Sequence, residues 1–229
     1  MARVRPSILI QDIRGKAGGS VFQMSPEGLI VRPRVDGTNP RTPAQLAVRS
    51  YFTRASQAFE GLTPVQYAAW KQYAAQNVRR DPITGKSRHQ TPIAAFVELA
   101  AKFLQANPAG TIPLTPPTTQ FNGDTITLTA AADTGKMTFT ASAANAAGVT
   151  TEIMLQPLKT ANRKPQSNAY RSKAFNAFAS GSLSFQVTVP AGYYAAAYRF
   201  VKLSTGQASE AVYLPVTGVA FSLTGKKAA

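Results

Sequence analysis

Thr125-Ile126-Thr127-Leu128-Thr129 and Met137-Thr138-Phe139-Thr140 alternate polar and apolar side chains, with Thr134-Gly135 between them. A period of two is the signature of a strand with one wet and one dry face, and the Thr-Gly step supplies a turn. The same rhythm continues downstream at 151–158, 182–189, 194–203, 211–216 and 219–223. Turn signals separate these runs: Asn122-Gly123 before the first, then Pro190-Ala191-Gly192 and Ser204-Thr205-Gly206. Short strands at this spacing predict an antiparallel β-sandwich over 120–229, Ig-like or fibronectin-like in architecture. The chain has no cysteine and so lacks the disulfide pair of antibody domains. One stretch breaks the rhythm. From Lys159 to Lys173 the chain carries Lys159, Arg163, Lys164, Arg171 and Lys173 and no acid, which reads as a long basic loop or an irregular edge between two strands.

Upstream the composition changes. Residues 108–119 hold Pro108, Pro113, Pro116 and Pro117 with Gly110, which predicts a stiff linker. Before it, Thr-Pro recurs at Thr42-Pro43, Thr63-Pro64 and Thr91-Pro92. Each step places a capping hydroxyl before a proline whose missing N–H costs nothing at the first helical position. Apolar residues follow at helical spacing: Val48, Tyr51, Phe52, Ala55 and Phe59; then Val65, Ala68, Ala69, Gln72 and Tyr73 with Trp70 alongside; then Ile93, Phe96, Val97, Ala100 and Leu104. Three amphipathic helices over 42–107 predict a small bundle. The stretch from Arg79 to Gln90 between the second and third reads as a polar, basic loop.

Residues 1–41 are rich in Arg, Gly and Pro. Val21 to Met24 and Leu29 to Arg32 flank Ser25-Pro26-Glu27-Gly28, a β-hairpin pattern. A lone hairpin is marginal in water. This zone is therefore expected to be an extended arm that needs a platform. The whole reads as an α+β multidomain chain: arm with hairpin, helical bundle, linker, sandwich.

The charge balance bears on partners. Among 229 residues, 25 Lys plus Arg face 10 Asp plus Glu, a formal net charge of +15. The excess is +9 in residues 1–110 and +6 in the remainder, so it is no detachable tail. Such a balance favours nucleic acid, an acidic membrane or an acidic protein surface. No run approaches the apolar length of a membrane span, and the early run Ile8 to Ile10 is too short for a secretory signal. The expected setting is aqueous, without secretory export or a membrane partner.

Chemistry is sparse. The single His89 sits in Ser87-Arg88-His89-Gln90, and the carboxylates are scattered. One histidine without cysteine does not make the usual zinc sites, and no local acid–base pairing stands out. Gly15-Lys16-Ala17-Gly18-Gly19-Ser20 lacks the order of a phosphate loop and is followed by no helix pattern. No catalytic residue, cofactor site or metal site is expected, and the chain reads as non-enzymatic. The candidate partner-binding residues are basic: Arg3, Arg5, Arg14, Lys16, Arg32, Arg34 and Arg41 in the arm; Arg79, Arg80, Lys86 and Arg88 in the first loop; Lys159, Arg163, Lys164, Arg171 and Lys173 in the second. They could hold phosphates with salt-sensitive affinity, or an acidic protein face.

Gly15-Lys16-Ala17-Gly18-Gly19-Ser20-Val21-Phe22, then Gly28-Leu29-Ile30-Val31-Arg32-Pro33-Arg34, then Asn39-Pro40-Arg41-Thr42-Pro43-Ala44-Gln45 resembles a group of phage and prophage proteins. In these a glycine-rich opening leads to a short hairpin and an N-P-x-T-P-x-Q helix start. The resemblance runs on through Arg49, Phe52, Leu62-Thr63, Ala69-Trp70 and Tyr73-Ala74, covering roughly residues 15–75. Similar proteins often carry a C-terminal β-sandwich, whose closing strands the stretch from Ala191 through Gln207 to Glu210 resembles. The resemblance implies a virion component of a tailed phage, assembled in the host cytoplasm and multi-copy or homo-oligomeric in the particle. Its expected partners are other virion proteins, major capsid or neck and tail subunits. Capsid decoration or a minor head role is the leading expectation, and a neck or tail accessory is the alternative. Two further classes stay open: a non-specific binder of the DNA phosphate backbone packaged with the genome, and an adhesion module whose sandwich meets host glycan.

Overall fold

The computed structural model describes residues 2–4, 14–25, 28–35, 37, 39–80 and 87–220. The chain is an α+β protein with three helices and mostly antiparallel sheets among the described residues. It divides into two compact units, Met1–Pro43 and Ala44–Ala229.

The first unit is a four-stranded antiparallel sheet in the order β1-β4-β3-β2, built from β1 (Ala2–Val4), β2 (Gly15–Ala17), β3 (Ser20–Ser25) and β4 (Gly28–Pro33). The expected hairpin is β3–β4, with Phe22 opposite Val31 and Met24 opposite Leu29. Its turn residues 26–27 lie outside the described residues. The expected extended arm is corrected here: β1 adds to one side of the hairpin and β2 to the other, because each edge offers unpaired backbone groups. The glycine-rich opening makes a second hairpin, β2–β3, whose turn is Gly18-Gly19. Gly18 has φ +55°, a left-handed conformation that a side chain would strain.

The second unit begins with helices α1 (Pro43–Glu60), α2 (Pro64–Gln76) and α3 (Pro92–Ala106). Thr63 caps α2 by accepting the Gln66 N–H, while the Gln66 side chain accepts the Thr63 N–H at 2.9 Å. Thr91 caps α3 by accepting from Ala94. The helices meet around Ala55, Trp70, Ala74, Ala95, Phe96 and Ala100. Trp70 lies edge-on to Phe96 at 5.0 Å and donates its indole N–H to the Leu114 carbonyl.

The helical faces differ from expectation. In α2, Val65 is exposed while Trp70 and Ala74 are buried, since rotating the indole inward buries the largest apolar surface. In α1, Val48 and Phe52 are exposed and Ala55 is buried. In α3, Phe96, Ala100 and Leu104 of the expected face are buried, Ile93 is exposed, and Ala101 and Phe103 are buried in addition. The expected loop between α2 and α3 contains a two-stranded ladder of β5 (Val78–Arg80) and β6 (Ser87–His89).

Residues 108–119 were expected to separate two domains, yet they lie inside the second unit. The Arg54 guanidinium donates to the carbonyls of Pro108 and Gly110, Trp70 to Leu114, and the Gln207 side chain to Thr119. Proline removes donors but leaves carbonyls, so the stretch works as an acceptor-rich strap.

Two antiparallel sheets follow. One has the order β11-β8-β7: β7 (Leu128–Asp133), β8 (Lys136–Ala141) and β11 (Ser184–Thr188). The other runs β10-β9-β12-β13, with β14 also on β12: β9 (Val149–Leu158), β10 (Arg171–Asn176), β12 (Gly192–Lys202), β13 (Val212–Tyr213) and β14 (Thr217–Val219). They share one core, including Leu128, Met137, Phe139, Ile153, Leu155 and Tyr198. The strand expected at 125–129 begins at Leu128. Of the strand expected at 219–223, residues 221–223 lie outside the described residues.

Candidate functional site

Both faces of β9 and β12 are buried. Ile153, Leu155, Tyr194, Ala196 and Tyr198 point into the shared core. By alternation, Glu152, Met154, Gln156, Ala195 and Ala197 point the other way, and all five are buried. Two elements engage that outer face: α3, and the segment joining β9 to β10.

At the α3 end stands an ion triad. The Glu152 side chain is 1% exposed and accepts from Arg199 Nε at 2.6 Å and from Lys102 Nζ at 3.1 Å on both oxygens. Burial alone would raise the Glu152 pKa. The Arg199 hydrogen bond and the Lys102 charge outweigh it and hold the carboxyl below the ordinary glutamate range. Burial pulls Lys102 below the ordinary lysine range. Glu152 opposes that shift, and the neighbouring Arg199 charge adds to it. The Lys102 ammonium also lies 5.8 Å from the Phe175 ring centroid and donates to Gln105. A cleft of about 290 Å³ opens here, lined by residues including Glu98, Lys102, Gln120, Arg199 and Ser209. Arg199 and Lys102 both spend donors on one carboxylate, so the triad ties α3 to the sheet. Gly206 closes the same region: a Cβ there would sit 2.1 Å from the Leu99 carbonyl oxygen.

Neither Lys102, Glu152 nor Arg199 stands among the residues expected from sequence to act. A signal was available: Glu152 is followed by Ile153-Met154-Leu155 and Arg199 stands between Tyr198 and Phe200-Val201, and a charge beside such apolar runs needs a partner when buried.

At the other end the segment after β9 folds back over the sheet. The Gln166 N–H donates to the Gln156 side-chain oxygen at 3.0 Å, and Tyr170 packs its ring on Tyr213 at 5.3 Å. Burial, then the neighbouring Tyr213, raises the Tyr170 phenol above its ordinary range. The stretch from Lys159 to Lys173, expected as a basic loop or irregular edge, has both: a loop after β9, then Arg171 begins β10, an edge strand on β9 whose register shifts between Ser172 and Ala174. Lys159, Arg163, Lys164, Arg171 and Lys173 are all exposed and fall on this one segment.

The other basic candidates group differently. In the first unit Arg14, Lys16, Arg32, Arg34 and Arg41 are exposed. Lys16 and Arg32 both pair with Val21 from opposite sides and so share a sheet face. Arg3 lies on β1 opposite Ile30, and Arg79 and Arg88 pair across the β5–β6 ladder beside Arg80. Arg5 and Lys86 lie outside the described residues. His89 pairs with Val78 in that ladder, and its Nδ1 lies 3.1 Å from the Ala75 carbonyl oxygen. Among the described residues no cluster of three His, Asp or Glu could hold a metal, and no helix is long and apolar enough to cross a membrane.

No family model matches the chain, and no curated protein matches it. Parts of it are similar to solved structures. Pectate lyase PelI from Erwinia chrysanthemi, in complex with tetragalacturonic acid, matches at 14% identity and a TM-score of 0.27, over 38% of this chain and 27% of that one. Pectate lyase Pel3 from Pectobacterium carotovorum matches at 11% and 0.28, over 45% and 30%. This chain thus spans less than a third of either lyase. The fusolin of Wiseana spp entomopoxvirus spindles matches at 10% and 0.27, over 77% and 82%. At these scores the likenesses carry no functional assignment.

Proposed function

We propose that this chain is a non-enzymatic structural protein of a tailed-phage particle, capsid-associated, whose 1–43 unit grips a neighbouring subunit. One observation carries the reading. Among the side chains described in that unit, Leu29 alone is buried, at 2% exposure. A sheet is fixed by burying a hydrophobic face, and a platform would add to the burial found among these described side chains. Its edge strands among the described residues, β1 and β2, have three residues each, and Gly15–Ala17 is exposed throughout. An edge of this kind can extend a neighbour's sheet by main-chain hydrogen bonding. Repetition around a symmetric particle multiplies weak contacts.

Within the second unit, the stretch 120–229 is proposed to be an Ig-like or fibronectin-like sandwich. The connectivity supports this: β7 and β8 form a hairpin in one sheet, β9 and β10 a hairpin in the other, and β11 and β12 return one strand to each. Tyr194, near the start of β12, donates its hydroxyl to the Pro190 carbonyl four residues upstream at 2.9 Å. That geometry matches the tyrosine corner of such sandwiches.

Limited trypsin digestion tests the grip. The exposed sites at Arg14 and Lys16 are expected to be cut in the free chain and protected in particles purified from the producing host. Equal cutting in both, or absence of the chain from the particles, removes the proposal. Protection confined to isolated tails would move the grip from capsid to tail.

A further inference from the structure

The segment from Lys159 to Lys173 carries five cations and no carboxylate, and its Lys and Arg side chains are exposed. Among the described residues, none of the five forms an ion pair. Arg171 has a local task, since its guanidinium donates to the carbonyls of Asn168 and Tyr170. Lys159, Arg163, Lys164 and Lys173 are left to meet a partner. They sit on a backbone held at both ends by strands β9 and β10, and in the middle by Gln156. Holding the backbone before binding lowers the ordering cost that a flexible basic tail would meet.

Four cations spread along the segment suit a repeated anion better than a single one. Tyr170 is the segment's one aromatic residue, and its ring already lies against Tyr213. Single-stranded nucleic acid is held by a charged groove with a row of aromatic rings for successive bases, and the segment itself contributes one ring to such a row. The segment holds no α-helix to enter a groove and read bases. We propose that residues 159–173 form a sequence-independent site for the phosphate backbone of duplex DNA. The site uses residues other than those of the grip proposed for the 1–43 unit.

The test is fluorescence anisotropy of the full chain on a random duplex, titrated with NaCl. Four phosphate contacts give a log–log salt slope of about −3.6, and removing three cations lowers its magnitude by about 2.7. The triple variant Lys159→Ala, Arg163→Ala, Lys164→Ala is expected to show that change, with affinity down about tenfold or more at moderate salt. Its Trp70 fluorescence unfolding curve should match the parent's. Lys71→Ala, an exposed cation on α2, should leave the slope within about one unit. Four results would overturn the site: no duplex binding at low salt; unchanged binding by the triple variant; tighter binding of oligo-dT than of duplex; or equal binding of polyglutamate per charge, which would point to an acidic protein surface.

Discussion

Replacing Glu152 with Gln removes one buried charge and leaves two cations facing an amide. The carboxylate is 1% exposed, Lys102 is 16% exposed and Arg199 is 29% exposed. Breaking a buried pair by deleting one partner costs about 3–5 kcal/mol, because the survivor stays desolvated and unpaired. Arg199 is the most exposed member and can turn toward the cleft, which puts the expected cost at the lower end, about 3 kcal/mol. For a unit of this size that is about 6–12 °C in Tm. Trp70 makes the measurement selective: it is the chain's single tryptophan and is buried in the second unit, so its emission follows that unit alone. A variant carrying Glu152→Leu, Lys102→Met and Arg199→Leu should recover most of the loss, since no orphan charge remains. The reasoning fails if Glu152→Gln unfolds within about 1 kcal/mol of the parent at neutral pH, or if the triple variant is no more stable than the single one.

The Glu152 carboxyl titrates lower in the folded chain than in the unfolded one. Its contribution is therefore present above the ordinary glutamate pKa and is lost as pH falls through the depressed folded value. Acid unfolding followed at Trp70 should be shallower in Glu152→Gln, and parallel curves would refute this. Gly206→Ala would place a Cβ against the Leu99 carbonyl at φ +73°, so it is expected to lower stability by more than about 2 kcal/mol in the same assay. Tyr194→Phe removes one hydrogen bond to Pro190 and keeps the ring, so a loss of about 1 kcal/mol is expected; no change in the denaturation midpoint would exclude a stabilising corner.

The elements whose periodicity answers to local chemistry were legible in the chain. The Thr-Pro steps start α2 and α3 because capping hydroxyl and proline act within one turn. Thr134-Gly135 makes the β7–β8 turn, where Asp133 pairs with Lys136. The hairpin of β3 and β4 follows from alternation around a short turn. The basic residues of 159–173 were also legible as a group, because net charge over a short segment needs no fold to be counted. What the sequence did not carry were relations between distant residues. Gln156 holding Gln166, and Tyr170 reaching Tyr213, turn a charged loop into a fixed surface. Lys102 and Glu152 lie 50 positions apart and become partners only when α3 crosses the sheet. The strap at 108–119 looked like a separator because proline spacing reports stiffness and says nothing about which carbonyls will find donors. By itself the sequence determined the local elements and the sign of the charge. Tertiary structure decided which faces of β9 and β12 are covered, since covering both requires an outside helix and a returning loop that no local pattern encodes.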